Sequence, residues 1–404
     1  MKKKIFTFFL LFVIFLNTNI FAIYSTIPVW SGNDDLITEV NAEPVSENFL
    51  NITSESAILI EQSTGKILYE KNSHEQLRPA SVTKVMTILL IMEAIDSGKI
   101  SLTDTVPCSE KASSMGGSQI WLDSRETLTV DEMLKAICVV SANDCTVAMA
   151  EFLAGSEEVF VDLMNEKAKL LGMNDTVFKN CHGIDEDGHI TSANDIAIMS
   201  RELLQNHPTI TKYTTIWMDS LREGQSQLVN TNKLVRNYDG CTGLKTGSTS
   251  LALYNLSASA TRNGLSLIAV IVRAPSTKDR FNNAKTLLDY GFTNYKFEKI
   301  ANQNEIVQTI EVNKGTEKQL NLLFEKDGGI LVKKSESSEI NQEIILNNNI
   351  SAPIEKGQIL GTAHFYLNDQ LLESVNLIAE KEINKVSIFS MYAYITETWI
   401  NLLR

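Results

Sequence analysis

The sequence predicts an α+β protein: an antiparallel sheet with a helical block, then a small all-β domain, then a C-terminal amphipathic helix. Three observations predict it. A hairpin and a long helical stretch precede three consecutive β-branched apolar runs, which a further helical pattern closes. From about residue 300 the helical period disappears and short strands alternate with Gly and Asn turns. The end of the chain returns to helical spacing with one apolar face.

Residues 1–22 read as a secretory signal: Lys2, Lys3 and Lys4 precede an apolar stretch, Ile5 to Leu16, that is short for a membrane span. An uncleaved anchor is the alternative, and either way the remainder is exported. Residues 23–50 are polar without a period and read as a linker. A domain over 51–298 then begins with a hairpin, strands Ala57–Ile60 and Ile67–Tyr69 about a Ser-Thr-Gly-Lys turn. From Val82 to Ile95 the chain is apolar nearly all round, so this helix is expected inside the domain. Residues 131–153 and 157–171 keep helical spacing. Ser192 with Asp195 three residues on is a capping-box pattern before another helix. "GCTGLKTGSTS", "LYNLSASAT" and "LSLIAVIVRA" read as strands, the last two separated by Asn263-Gly264, and "RFNNAKTLLDYGF" as a helix. A β-sandwich-like domain is expected over 299–379 and the amphipathic segment over 380–404. In the latter, Ile388, Tyr392, Ile395, Trp399 and Leu402 share a face, the pattern of a helix lying in a membrane interface or docked on a partner.

At 404 residues and 44% hydrophobic, the chain supports a large core and a second, smaller domain. A net charge of −13 argues against nucleic acid as a partner, because phosphate recognition needs basic surface. The five cysteines are odd in number and form no C-x-x-C pair, so most of them read as small buried hydrophobes and none as part of a metal site.

"RPASVTKVMT" places Ser81 and Lys84 three apart at the mouth of the apolar helix, so they share a face. A serine hydroxyl needs a base to act as a nucleophile. A lysine held away from water loses its proton more readily. The pair alone is weak, because a helix cap followed by a surface lysine looks the same. "SAND" adds Ser141 and Asn143 at the end of a helical stretch. "LKTGST" adds Lys245, Thr246, Gly247 and Ser248 on a strand, where Lys245 and Gly247 share a face: a cation beside a missing side chain, open to an extended peptide carboxylate. "CHGIDEDGHI" clusters Cys181, His182, Asp185, Asp187 and His189, but it lacks the H-E-x-x-H of a zinc peptidase. Asp144, at a loop–helix junction, reads as a cap.

The order S-x-x-K, S-x-N, K-T-G resembles that of the penicillin-recognising serine enzymes. With "MGGSQIWL", "MNEKAKLLGMNDTVFKNCHGID" and "RNGLSLIAVIVRAP", the chain from about residue 51 resembles the D-alanyl-D-alanine carboxypeptidases, the low-molecular-mass penicillin-binding proteins. Cys145 in place of the usual alanine, and a missing glycine in "LDSRETLTV", are departures away from the catalytic groups. The resemblance implies a penicillin-binding/β-lactamase-like transpeptidase domain. It implies an acyl-enzyme on Ser81, with Lys84 as base and Ser141 relaying a proton. Asn143 would orient the substrate and Lys84. Lys245 and Thr246, beside Gly247, would receive the terminal carboxylate, and the Ser81 and Ser248 N–H groups the oxyanion. The expected partners are peptidoglycan stem peptides, β-lactams and the outer face of the cytoplasmic membrane. No metal or cofactor is required. The competing readings are a β-lactamase on the same scaffold, which the missing E-x-x-L-N motif disfavours, and a non-catalytic wall-binding or β-lactam-sensing protein.

Overall fold

The structure, a computed structural model, describes residues 50–335, 339–367, 369–387, 396 and 399–400. The signal at 1–22, nearly all of the 23–50 linker and, of the tail's apolar face, Ile388, Tyr392, Ile395 and Leu402 lie outside the described residues.

Strands β1 (Ser56–Glu61) and β2 (Ile67–Lys71) form the expected hairpin. Its turn closes on the buried Glu61 carboxylate, which accepts from the N–H and hydroxyl groups of both Ser63 and Thr64. Helix α1 (Lys84–Asp96) follows a single 3-10 turn, Ala80–Thr83. The helical spacing over 131–153 resolves into two helices, α2 (Val130–Val140) and α3 (Asn143–Ala154). The break is Ser141, whose φ of 65° ends α2 in the left-handed conformation. A 3.6-residue period carries no mark of one left-handed residue, so the sequence reads as continuous there. Helix α4 (Glu157–Leu170) starts on a Ser156 cap. At α5 (Ala193–Asn206) Ser192 caps the Asp195 N–H, but the Asp195 carboxylate turns to the Asp175 N–H and the Thr176 hydroxyl. Only half of the capping box forms.

Strands β3 (Cys241–Thr249), β4 (Leu253–Arg262) and β5 (Leu265–Ala274) are an antiparallel meander. Asn263 and Gly264, both at positive φ, make its second turn, one of two residues. The main sheet runs β2-β1-β5-β4-β3. One face (Ile58, Ile60, Ile268, Val270) packs against the helical block. The other (Leu59, Leu256, Leu267, Ile271) packs under helix α6 (Thr277–Asn294) through Phe281, Leu287 and Leu288. Both faces are covered, which is why "LSLIAVIVRA" is continuously apolar.

β6 (Tyr295–Ala301) continues directly from α6 and pairs with β9 (Gly328–Lys333). Strands β7 (Ile306–Glu311), β8 (Gln319–Phe324), β10 (Ile340–Leu346), β11 (Ile359–Leu367) and β12 (Gln370–Ala379) form a second sheet, ordered β7-β8-β12-β11-β10. Leu320, Leu322, Phe365, Val375 and Leu377 are its core. All five cysteines are free thiols, and four are buried.

Candidate active site

Ser81 sits in the 3-10 turn that leads into α1, on a backbone held from three sides. Ala80 before it has a φ of 49°, a left-handed conformation that a non-glycine residue keeps only where its surroundings enforce it. Those surroundings are polar. Asn255 on β4 donates to the Arg78 and Pro79 carbonyls at 2.8 and 3.0 Å. Thr83 donates to the Ala80 carbonyl, and the same hydroxyl accepts from His189 Nε2, since His189 Nδ1 is taken by the Lys179 N–H. Gly183 stacks so closely that a β-carbon on it would run into the Ala80 carbonyl.

Lys84, fully buried, opens α1 with its Nζ 3.1 Å from Ser81 Oγ, 2.6 Å from Asn143 Oδ1 and 2.6 Å from the His182 carbonyl. Asn143 is oriented unambiguously, because its Nδ2 donates to the Gly116 carbonyl at 2.7 Å. Burial, and then the charge of Lys245, hold Lys84 well below the ordinary lysine range. Lys245 is pushed down to about 7, chiefly by burial. Among the described residues no carboxylate pairs with Lys245, whose Nζ donates to the Thr246 carbonyl at 2.9 Å.

Gly247 lies against the serine turn: a β-carbon there would stand 2.8 Å from both the Ser81 and Val82 nitrogens. Ser248 follows on the same strand. Thr246 donates to the Thr231 hydroxyl at 2.7 Å. Ser141 Oγ is buried and has no hydrogen-bond partner among the described residues. The left-handed turn at Ser141 brings the S-x-N loop beside Lys84, so Ser81, Lys84 and Asn143 form one hydrogen-bonded cluster with the K-T-G strand packed against it.

Several contributors are not apparent in the sequence. Arg280 on α6 donates to the Gly247 and Asn255 carbonyls of the sheet at 3.1 and 3.3 Å. Its Nε is buried without a partner among the described residues, and burial lowers its pKa to about 10. The His182 carbonyl is presented by a loop that Glu157 clamps through the Cys181 N–H and thiol, while Thr87 donates to the Cys181 carbonyl. Asp144 does more than cap: its buried carboxylate accepts from the Ile120 and Leu122 N–H groups and ties the 116–122 loop to α3. Of the "CHGIDEDGHI" cluster, His182 and His189 point to separate partners, and no group of three metal-ligating side chains occurs among the described residues.

A serine paired with a buried lysine, a left-handed S-x-N turn and a cationic K-T-G strand on an antiparallel sheet define a penicillin-recognising serine hydrolase. The comparisons narrow this. A family model described as D-alanyl-D-alanine carboxypeptidase matches residues 41–276, and one described as penicillin-binding protein 5, C-terminal domain, matches residues 295–385. The chain belongs to the D-alanyl-D-alanine carboxypeptidase family. It is 45% identical to D-alanyl-D-alanine carboxypeptidase DacF of Bacillus subtilis, with 86% of this chain and 90% of that protein covered. Penicillin binding protein 5 of Haemophilus influenzae superposes with a TM-score of 0.70 at 31% identity, covering 83% of this chain and 98% of that one. Penicillin-binding protein D2 of Listeria monocytogenes, in its ampicillin-bound form, superposes with a TM-score of 0.56 at 28% identity, over 60% of this chain and 99% of that one.

Proposed function

We propose that this chain is a serine-type D-Ala-D-Ala carboxypeptidase. It removes the terminal D-alanine from peptidoglycan stem pentapeptides through an acyl-enzyme on Ser81, and β-lactams acylate the same serine. One observation carries the reading. Asn143 Oδ1 and the His182 carbonyl can only accept hydrogen bonds, and each stands 2.6 Å from Lys84 Nζ. They take the two N–H bonds of a neutral amine, leaving its lone pair for the Ser81 hydroxyl at 3.1 Å. Lys84 is thereby a base aimed at its nucleophile without a histidine.

Ser81 Oγ attacks the carbonyl carbon of the penultimate D-alanine as its proton passes to Lys84. The Ser81 N–H and the Ser248 N–H hold the oxyanion; the close packing of Gly247 on the serine turn supports their adjacency. Ser141, whose buried hydroxyl has no other partner among the described residues, passes a proton to the departing D-alanine nitrogen. Asn143 keeps Lys84 in place and orients the substrate amide. Lys245 and Thr246 receive the terminal carboxylate, and Arg280 behind Gly247 adds a second buried cation to that end of the cleft. Water then hydrolyses the ester.

Export and peripheral attachment to the outer face of the cytoplasmic membrane belong to the same reading. Their support is the 1–22 segment and the apolar face of the tail. Removing residues 384–404 is expected to release the protein from membranes; a truncated protein that still sediments with them would put the anchor elsewhere.

Release of D-alanine from diacetyl-Lys-D-Ala-D-Ala, with Ser81→Ala as control, tests the activity. No release with rapid turnover of penicillin would indicate a β-lactamase. Neither release nor acylation would leave a binding protein.

A further inference from the structure

Trp121 is 77% exposed and has a φ of 61°, a left-handed conformation that is strained for a bulky side chain. Its neighbours are the reverse: Ile120 and Leu122 are buried, and both of their N–H groups are bound by the Asp144 carboxylate. On the carbonyl side Arg222, paired with Glu126, donates to the Ile120 carbonyl at 2.8 Å. The same loop is joined to Asn143 at two points, through the Gly116 and Ser118 carbonyls. A backbone this over-determined holds the indole out in solvent beside the S-x-N turn, where neither packing nor burial explains it.

We infer that Trp121 is a platform for a sugar ring of the glycan strand that carries the stem peptide. This rests on the carboxypeptidase reading. The cleft takes the peptide's D-alanyl end, so what lies outside the rim is the part of the substrate toward its attachment. The broad apolar face of an indole, with its N–H at the edge, suits a pyranose, which offers C–H bonds on its faces and hydroxyls at its rim. The loop is tied to Asn143, so a sugar seated on Trp121 adds binding energy to the bound substrate without changing the reacting groups.

The test compares a pentapeptide linked to its disaccharide with the same pentapeptide freed of sugar. The parent enzyme should show a lower KM for the glycan-linked form. Trp121→Ala should raise that KM about 3- to 10-fold with kcat and the sugar-free KM unchanged, and Trp121→Phe should restore part of the preference. Trp121→Gly relieves the left-handed strain, so it should melt at or above the parent temperature while losing the same preference. Equal KM values for the two substrates in the parent would overturn the inference. So would a Trp121→Ala enzyme whose activity falls by one factor on both substrates, the mark of a structural role. Absence of D-alanine release from the sugar-free peptide by the parent would instead sink the carboxypeptidase reading itself.

Discussion

Gly247 and Ser81 touch backbone to backbone: a β-carbon on Gly247 would lie 2.8 Å from the Ser81 nitrogen and 2.9 Å from the Pro79 carbonyl. Neither is the tip of a flexible side chain that can move aside. Gly247→Ala should therefore push the K-T-G strand off the serine turn and separate the two oxyanion donors. A misplacement near 1 Å costs about 100-fold, so acylation by labelled penicillin should slow at least that much while the far-ultraviolet circular dichroism stays unchanged. Acylation within threefold of the parent would show that the contact does not set the geometry.

Ser141 separates stability from activity. Its hydroxyl is buried without a partner among the described residues, so Ser141→Ala removes an unsatisfied polar group. Thermal melting should occur at or above the parent temperature. In the proposed mechanism the proton relay goes with the hydroxyl, and kcat/KM for D-alanine release should fall about 100- to 10,000-fold. A variant that loses stability in step with activity would make Ser141 a structural residue.

In the proposed mechanism the pH profile follows from two lysines that must hold opposite charge states. Lys84 has to be neutral, and its pKa lies well below the lysine range, so the acid limb of kcat/KM reports its deprotonation. Lys245 has to be charged to hold a carboxylate, and in the free enzyme it titrates at about 7. Activity should rise with pH through the Lys84 value and fall above about 7 in kcat/KM. A bound carboxylate favours the charged form of Lys245, so the alkaline limb of kcat should move upward. A stopped-flow profile rising monotonically to pH 10 would contradict the assignment of charge to Lys245.

Asn255 is a positioning residue 174 places from Ser81 in the chain. Fully buried, it donates to the Arg78 and Pro79 carbonyls and accepts from the Arg273 N–H at 2.7 Å. Asn255→Ala takes a partner from the Arg78 carbonyl, the buried Pro79 carbonyl and the Arg273 N–H, and should cost about 1–3 kcal/mol in urea denaturation. Penicillin acylation should slow as well, because Ala80 loses the contacts that hold it left-handed. Parent acylation rates in a destabilised variant would limit Asn255 to the fold.

What the sequence made legible was chemistry carried by side chains close together along the chain. Ser81 and Lys84 meet because three residues are about one turn, and the hairpin and the Asn263-Gly264 turn are local. The alternation of Ile58 and Leu59 to opposite faces follows from the strand period. What stayed hidden depends on groups without a side-chain signature or on distant partners. The His182 carbonyl that shares Lys84 is main chain. Arg280 and Asn255 reach the site from α6 and β4, and Asp144, read as a cap, spends its carboxylate on a loop more than twenty residues earlier. The break at Ser141 is a single backbone dihedral inside a pattern that continues through it.

The most direct measurement is the mass of the protein quenched in acid during turnover of diacetyl-Lys-D-Ala-D-Ala, followed by peptide mapping. An acyl adduct is expected on the peptide containing Ser81, lost in Ser81→Ala together with D-alanine release. D-alanine release that survives in Ser81→Ala, or an adduct that maps to any other residue, would contradict it.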